Sequence, residues 1–445
     1  MTAETSQAAV SGAPAAAQGL RIGETGRQAG MLFSAQTAAM VVGLAISILQ
    51  ARFLPPSEMG RLAFCMTFVV IAGVVFEFGF SSAGARVLAL ARDERNERQA
   101  LGAMVLLTLA ISGVFAVFVA AAAFPLERVF HKEVGWLLVS TAGLAFFQPF
   151  QFFIEQGCQG LNQIRRLSLF QLSLSVAYLT VLIVLAASRH LTAGTALAAY
   201  FGSMGAAAIW TLFRMRPIFS GTAPYIRLTI RETRRFGLNI YLSRIAGQAS
   251  TRVDQLVIAY FIADPAPLGI YAIIQKFANP ILIIGRSLAA TRFRVFARVT
   301  AVPSRVKRWN AAMLIIAAAG LIGVGPIAIK LLFPQYAAGV TLVVPFAFAG
   351  LFIGLFQPYN IFLQSHGRGA ELRNIVLIAS VASVVGLTLS VPRFGLAGAA
   401  WTGAAVMALD YILHVYYYRV FRRAVSEEPG DHEPQTSGPD IAATR

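Results

Sequence analysis

Long uncharged apolar runs constrain this chain more than any other feature. Residues 101–124, 167–188, 191–213, 311–329 and 374–392 carry no charged side chain at all. A hydrocarbon core of about 30 Å needs roughly 20 consecutive apolar residues in a helix, so each run is long enough to span one. With 57% of its 445 residues hydrophobic and 13% charged, the chain also lacks the polar surface that a soluble globule of this size requires. The expected fold class is therefore an all-α integral membrane protein.

Hydropathy places about twelve transmembrane helices, at 30–50, 61–84, 100–124, 135–158, 167–187, 192–214, 237–262, 268–290, 311–333, 339–364, 373–391 and 396–420. An even number puts both termini on one side. Of the 37 Lys and Arg, only Arg52, Arg61, Arg128, Lys132, Arg189, Lys330 and Arg393 fall in the loops of the opposite side. Arg244, Arg252, Lys276 and Arg286 lie within spans, and the rest sit in the loops and tails that share the termini's side. Because basic short loops are retained inside, both termini are expected in the cytoplasm, in a multi-pass inner-membrane protein. The same bias accounts for the net charge of +17 without invoking nucleic acid. Residues 1–28 and 424–445, polar and small, read as disordered cytoplasmic tails. The 216–236 connection mixes Arg with Ile, Leu and Phe, which suits either an amphipathic stretch on the anionic leaflet or a plain topogenic linker. Cys65 and Cys158 both fall inside spans and imply no disulfide framework.

An internal repeat organises these spans. FQPFQFFIEQGCQG at 147–160 and FQPYNIFLQSHGRG at 356–369 align without gaps at an offset of 209, and the same offset maps Gly60 onto Gly269. Two six-helix bundles follow, an N-terminal lobe at 29–215 and a C-terminal lobe at 237–423. Six is even, so the repeat is parallel about an axis along the membrane normal, and a substrate path between the lobes with alternating access is expected.

Polar groups inside the membrane are costly, on the order of 2.5–3.5 kcal/mol per charge on insertion scales, and so carry information. Arg244 and Arg252 share a face of the seventh span, and Lys276 and Arg286 a stripe of the eighth. Arg252 and Lys276 are expected at one depth, with Arg244 and Arg286 forming a second tier nearer the cytoplasm. Such tiers suit an anionic group passing through; alternatively, Asp254 neutralises Arg252 or Lys276 while Arg286 snorkels. Gln148, Gln151 and Glu155 form a ridge on the fourth span, and Gln357, Asn360 and Gln364 its counterpart on the tenth. Amides suit sugar hydroxyls, and they equally join helices to one another. Pro149 and Pro358 are expected to kink both helices. Glu77, Asp254 and the Asp410–His414 pair are candidates for ion coupling, with helix-to-helix hydrogen bonding as the plainer role. No catalytic constellation, phosphate loop, metal-ligand spacing or cofactor motif stands out, so an enzyme is not expected.

Several segments together resemble the polysaccharide transporter or O-antigen flippase family of the multidrug, oligosaccharidyl-lipid and polysaccharide exporter superfamily. They are ARFLPPSEMGRLAF, FEFGFSSAGARVLA, QGLNQIRR, RVDQLVIAYFIADPAPLGIYAIIQKFANP, LLFPQYAAG and FGLAGAAWTGAA, in order over residues 20–423. The resemblance implies a V-shaped pair of six-helix bundles around a cationic cavity. It implies a lipid-linked oligosaccharide as substrate, on undecaprenyl pyrophosphate, flipped from the cytoplasmic to the periplasmic leaflet for O-antigen, capsule or exopolysaccharide synthesis. A polysaccharide polymerase and export machinery are the partners to expect beside membrane lipid, and the driving gradient, proton or sodium, stays open. A cation-coupled multidrug exporter of the same superfamily is the main rival, and would be expected to line its cavity with acids. A membrane glycosyltransferase or polymerase is a third reading, disfavoured by the short outside loops.

Overall fold

The computed structural model describes residues 38–39, 41–91, 93–281, 296 and 299–427. The expected 1–28 tail, most of the 424–445 tail and Arg286 lie outside the described residues, as do the side chains of Arg244 and Gln248. Every described element is helical. The N-terminal lobe comprises α1 (Val41–Phe53), α2 (Pro56–Phe76), α3 (Phe80–Ala89), α4 (Glu94–Phe130), α5 (Gly135–Ala145), α6 (Gln148–Gly160), α7 (Ile164–Ala187) and α8 (Ala193–Met215). A short α9 (Ala223–Glu232) and a π-helical turn (Thr233–Gly237) lead into the second lobe. That lobe holds α10 (Leu238–Phe261), α11 (Pro265–Phe277), α12 (Ser304–Leu332), a 3-10 helix (Pro334–Leu342), α13 (Val343–Ser365) and α14 (Gly369–Glu427).

Helix falls in each of the twelve expected segments. Among the described residues, eight helical stretches are long and apolar enough to cross a membrane, and one of them, Gly369–Arg423, has the length of two spans. The residue at its bend is Gly395, whose φ of 56° and ψ of −136° break the helix, while Ser390 and Thr402 hydrogen-bond across the bend at 2.8 Å. Three expected features take a different local form. The second span breaks at Phe78 and Gly79, both at positive φ, into α2 and α3. The fourth breaks ahead of Pro149, which sits in the first turn of α6, where a missing N–H costs nothing. Pro358, by contrast, lies inside an unbroken α13. The 216–236 connection forms α9, and it is tied to the first lobe: Tyr225 donates to Asn96 at 2.8 Å, and Arg86 pairs with Glu232 at 3.4 Å.

The lobes meet along α2, which packs on α10 and α11. Glycine permits the contact at one end. A Cβ on Gly60 would lie 1.8 Å from the Pro265 carbonyl oxygen, and one on Gly269 would lie 2.0 Å from that of Pro56. Pro56 and Pro265 stand at the same repeat offset as the two glycines, so each half offers the other the same surface, as across a two-fold axis. We call this the hairpin end, because it carries the α1–α2 and α10–α11 turns, and the opposite one the linker end. At the linker end, a Cβ on Gly79 would lie 2.3 Å from the Gly237 carbonyl oxygen, and Tyr241 donates to the Val75 carbonyl at 2.6 Å.

Candidate functional site

Between these two seams the buried polar groups of both lobes interlock. Lys276, in the last turn of α11, reaches across the interface and donates to Gln50 Oε1 of α1 at 2.9 Å. Gln50, 3% exposed, passes its own amide N–H to the Tyr178 hydroxyl of α7 at 2.9 Å. A second tie runs from Thr67 of α2, which donates to Gln255 Oε1 of α10. Gln255 in turn donates to Gln275 at 3.1 Å. Five helices, three of the first lobe and two of the second, are thus joined by the Lys276 ammonium and otherwise uncharged donors and acceptors, an arrangement that satisfies amides which would otherwise be costly in hydrocarbon.

Asp254 does not pair with Lys276. Its Oδ2 accepts from the Tyr271 hydroxyl at 2.9 Å and from Gln275 at 3.1 Å, and its Oδ1 from the Gln255 backbone N–H at 2.8 Å. The carboxylate is therefore occupied by uncharged donors, with the Arg252 charge near enough to be felt. Arg252 and Lys276 also lie within electrostatic reach of one another. Neither forms an ion pair with a described carboxylate within 4 Å. The Tyr200 hydroxyl of α8 feels both Arg252 from one lobe and Glu155 from the other. The proposed second tier, Arg244 and Arg286, falls where side chains are not described.

The amide ridges are present as ladders along their helices. Gln148 donates to Gln151 at 3.3 Å and Gln151 to Glu155 at 3.1 Å, while Gln364 donates to Asn360 at 3.0 Å. Gln148 is 1% exposed and wedged under Gly73, where a Cβ would come within 2.9 Å of its Cγ. Gln357 is likewise buried, so the half-buried Gln151, Glu155 and Asn360 and the exposed Gln364 are the accessible members. Glu77 is buried beside the Gly79 seam. In α14, His414 Nδ1 lies 3.4 Å from Asp410 Oδ1 and 2.8 Å from the Asp410 carbonyl, and its ring stacks on Phe356 at 4.7 Å. No cluster of three His, Cys, Asp or Glu fit for a metal ion occurs among the described residues.

The hairpin end is closed over this site by two crossed caps. Lys132, in the α4–α5 loop of the first lobe, is fully buried and donates to the carbonyls of Ile262, Ala263 and Asp264, the last at 2.9 Å. A cation there complements the negative end of the α10 dipole. Burial pushes the Lys132 ammonium down to about 8, against the opposing pull of the Asp264 carboxylate. The second lobe reciprocates: Gln335 donates to the Ala51 carbonyl at 2.6 Å, and Tyr336 to that of Leu54 at 2.9 Å. Gln50, Thr67, Tyr178, Gln255, Gln275, Lys132 and Gln335 were not singled out from the sequence. A signal existed for Gln255 and Gln275, which adjoin Asp254 and Lys276.

In shape the chain resembles a multidrug resistance transporter of the MATE family and MOP superfamily in its inward-facing conformation. The TM-score is 0.68 at 14% identity, covering 88% of this chain and 96% of that one. Against the lipid II flippase MurJ in an inward closed conformation it is 0.67 at 11% identity, over 89% and 90%. An outward-facing MATE transporter gives 0.53 at 14% identity, over 90% and 96%. At such identities the likeness establishes the fold alone, two helical bundles arranged as in those structures. No curated protein matches in sequence. A family model described as polysaccharide biosynthesis protein matches residues 25–300, more than half of the chain, and the chain belongs to that family.

Proposed function

We propose that this protein is a flippase that moves an undecaprenyl-pyrophosphate-linked oligosaccharide from the cytoplasmic to the periplasmic leaflet of the inner membrane. The observation that carries the reading is the pair Arg252 and Lys276 at the seam between the lobes, neither engaged by a described carboxylate. A pyrophosphate leaving water needs fixed positive charge and directed N–H donors to offset its desolvation. Phosphate oxygens are stronger acceptors than the Gln50 amide and would displace it from Lys276. That exchange removes a tie between α1 and α11, so substrate binding and loosening of the interface become one event. The accessible Gln151, Glu155, Asn360 and Gln364 then face the sugars. Asp410 with His414, Glu77 and Asp254 are the groups available to couple a proton or sodium gradient.

With both termini cytoplasmic, as the arginine distribution indicates, the closed hairpin end is the periplasmic one. Family membership supports a place in polysaccharide assembly, with a polymerase and export machinery acting on the delivered glycan. The test is Arg252→Gln and Lys276→Gln, singly and together, in a strain lacking the native gene, scored for lipid-linked glycan held on the cytoplasmic leaflet. The double variant should abolish surface polysaccharide at unchanged membrane abundance. Arg252→Lys should restore it in part, since Lys keeps the charge and loses the planar fork. Normal surface polysaccharide in the double variant refutes the site, and a loss of resistance to cationic drugs would point to multidrug export.

A further inference from the structure

A second cationic site lies away from the seam, at the linker end of the C-terminal lobe. There α12, α13 and α14 border an open cavity of about 380 Å³ lined by Lys307, Tyr359, Tyr418, Arg419, Arg422 and Arg423. Its volume falls within the range of about 300–1,000 Å³ typical of small-ligand sites. On α14 the cavity residues recur at steps of three and four, which puts them on one face of the helix. Lys307 faces them from α12. Gathering Lys307, Arg419 and Arg423 in this way is unfavourable in isolation, since like charges one turn apart repel. Among the described residues no carboxylate lines the cavity. The nearby Glu371 is engaged by Arg368 at 3.2 Å.

The floor beneath these cations is packed with aromatic rings. Tyr418 is 4% exposed and packs edge-on against Phe362 at 5.2 Å and Tyr359 at 5.0 Å. Its hydroxyl accepts from the Val302 N–H at 3.1 Å, which leaves its own proton to donate. The surroundings set the depth in the membrane. Trp309, two residues from Lys307, is 61% exposed, and Tyr416, three from Arg419, is 58% exposed. Exposed Trp and Tyr of this kind sit at the level of lipid head groups. Basic pockets between transmembrane helices at that level suit phosphate esters.

We propose that this cavity binds the phosphate head group of an anionic membrane lipid. The cations take the phosphate oxygens, the tyrosine hydroxyls add neutral donors, and the acyl chains leave along the apolar faces of α12 and α14. Because the site is distinct from the seam, lipid bound here would hold α12 and α14 together at their linker ends without competing for transport substrate.

The full chain, purified in detergent, is titrated separately with diphosphatidylglycerol, phosphatidylglycerol, phosphatidylethanolamine and sodium pyrophosphate, with binding read by native mass spectrometry. The two anionic lipids should bind at one equivalent and the zwitterionic lipid at least about tenfold more weakly. Arg419→Gln with Arg423→Gln should weaken the anionic lipids by at least about tenfold, the loss of one or more charge-assisted hydrogen bonds. Lysines at the same two positions should hold affinity within about threefold, which separates a charge requirement from a folding defect. Arg214→Gln, at the linker end of α8, serves as the control and should change nothing. Equal binding by wild type and the double Gln variant overturns the proposal, as does equal retention of phosphatidylethanolamine. Pyrophosphate binding as tightly as the lipids would assign the cavity to a soluble anion and overturn it too.

Discussion

Replacing Lys132 by Gln removes the ammonium that holds Ile262, Ala263 and Asp264 from the other lobe. Taking one partner from a buried charged contact costs about 3–5 kcal/mol. Here the freed carbonyls regain water once the hairpin end opens, so about 2–3 kcal/mol is the reasoned loss to the closed state. At 1.4 kcal/mol per decade, the closed-to-open ratio should fall by about 30- to 150-fold. Spin labels at Arg189→Cys and Phe394→Cys, both at the hairpin end and on opposite lobes, report the change as pulsed-EPR distances once Cys65 and Cys158 are replaced by Ala. Lys132→Gln should populate a longer distance that the parent lacks. The pH response has the opposite sign. In the closed state the amine titrates near 8, and in water near its ordinary 10.5. Between those values the closed form has released a proton that the open form keeps, so rising pH favours closure, and the effect vanishes below 8. The neutral amine retains two N–H donors for the carbonyls while shedding the cost of burying a charge. An unchanged distance distribution in Lys132→Gln, or a parent that opens as pH rises from 7.5 to 9.5, would refute this account of the cap.

Gly60→Ala should also open the hairpin end, because its methyl would overlap the Pro265 carbonyl; the same label pair checks this, and a parent-like distance counts against the isologous contact. Asp410→Asn should flatten the pH dependence of flipping in proteoliposomes if the Asp410–His414 pair carries the coupling proton, whereas an unchanged profile assigns the pair to helix packing. Cysteines at Arg189 and Arg393 should react with an impermeant maleimide from the periplasm and those at Arg165 and Arg305 only after lysis; labelling of both sets from one side refutes the twelve-span orientation.

The helices were legible because hydropathy records each one locally, and the pairing of the lobes because FQP at 147 and 356 and the glycines at 60 and 269 preserve the duplication. Breaks within spans were harder to read. Gly79 and Pro149 interrupt runs whose hydropathy continues unbroken, so composition alone merges α2 with α3 and α5 with α6. Arg252 and Lys276 stood out as charges in apolar surroundings. Their partners did not: Gln50 lies 226 residues from Lys276, and a lone Gln in a first span gives no hint of which helix it will meet. Lys132 looked like one of a few outside-loop cations, and only the fold shows its ammonium buried in the other lobe. Gln148 illustrates the reverse error, since a polar ridge on a helical wheel does not reveal that Gly73 makes room to bury one of its members.

The contact between Pro56–Gly60 and Pro265–Gly269 is self-complementary, which has a bearing on ancestry. A surface that fits its own copy needs no second gene to be useful. A six-helix precursor bearing one Pro-x-x-x-Gly turn could have associated with an identical subunit through this same patch, and fusion in tandem would then have preserved an existing dimer rather than created a new interface. Once fused, the two copies were free to diverge: the first kept an ammonium as its cap and the second an amide and a phenol, while the intramembrane cations accumulated in the second copy alone.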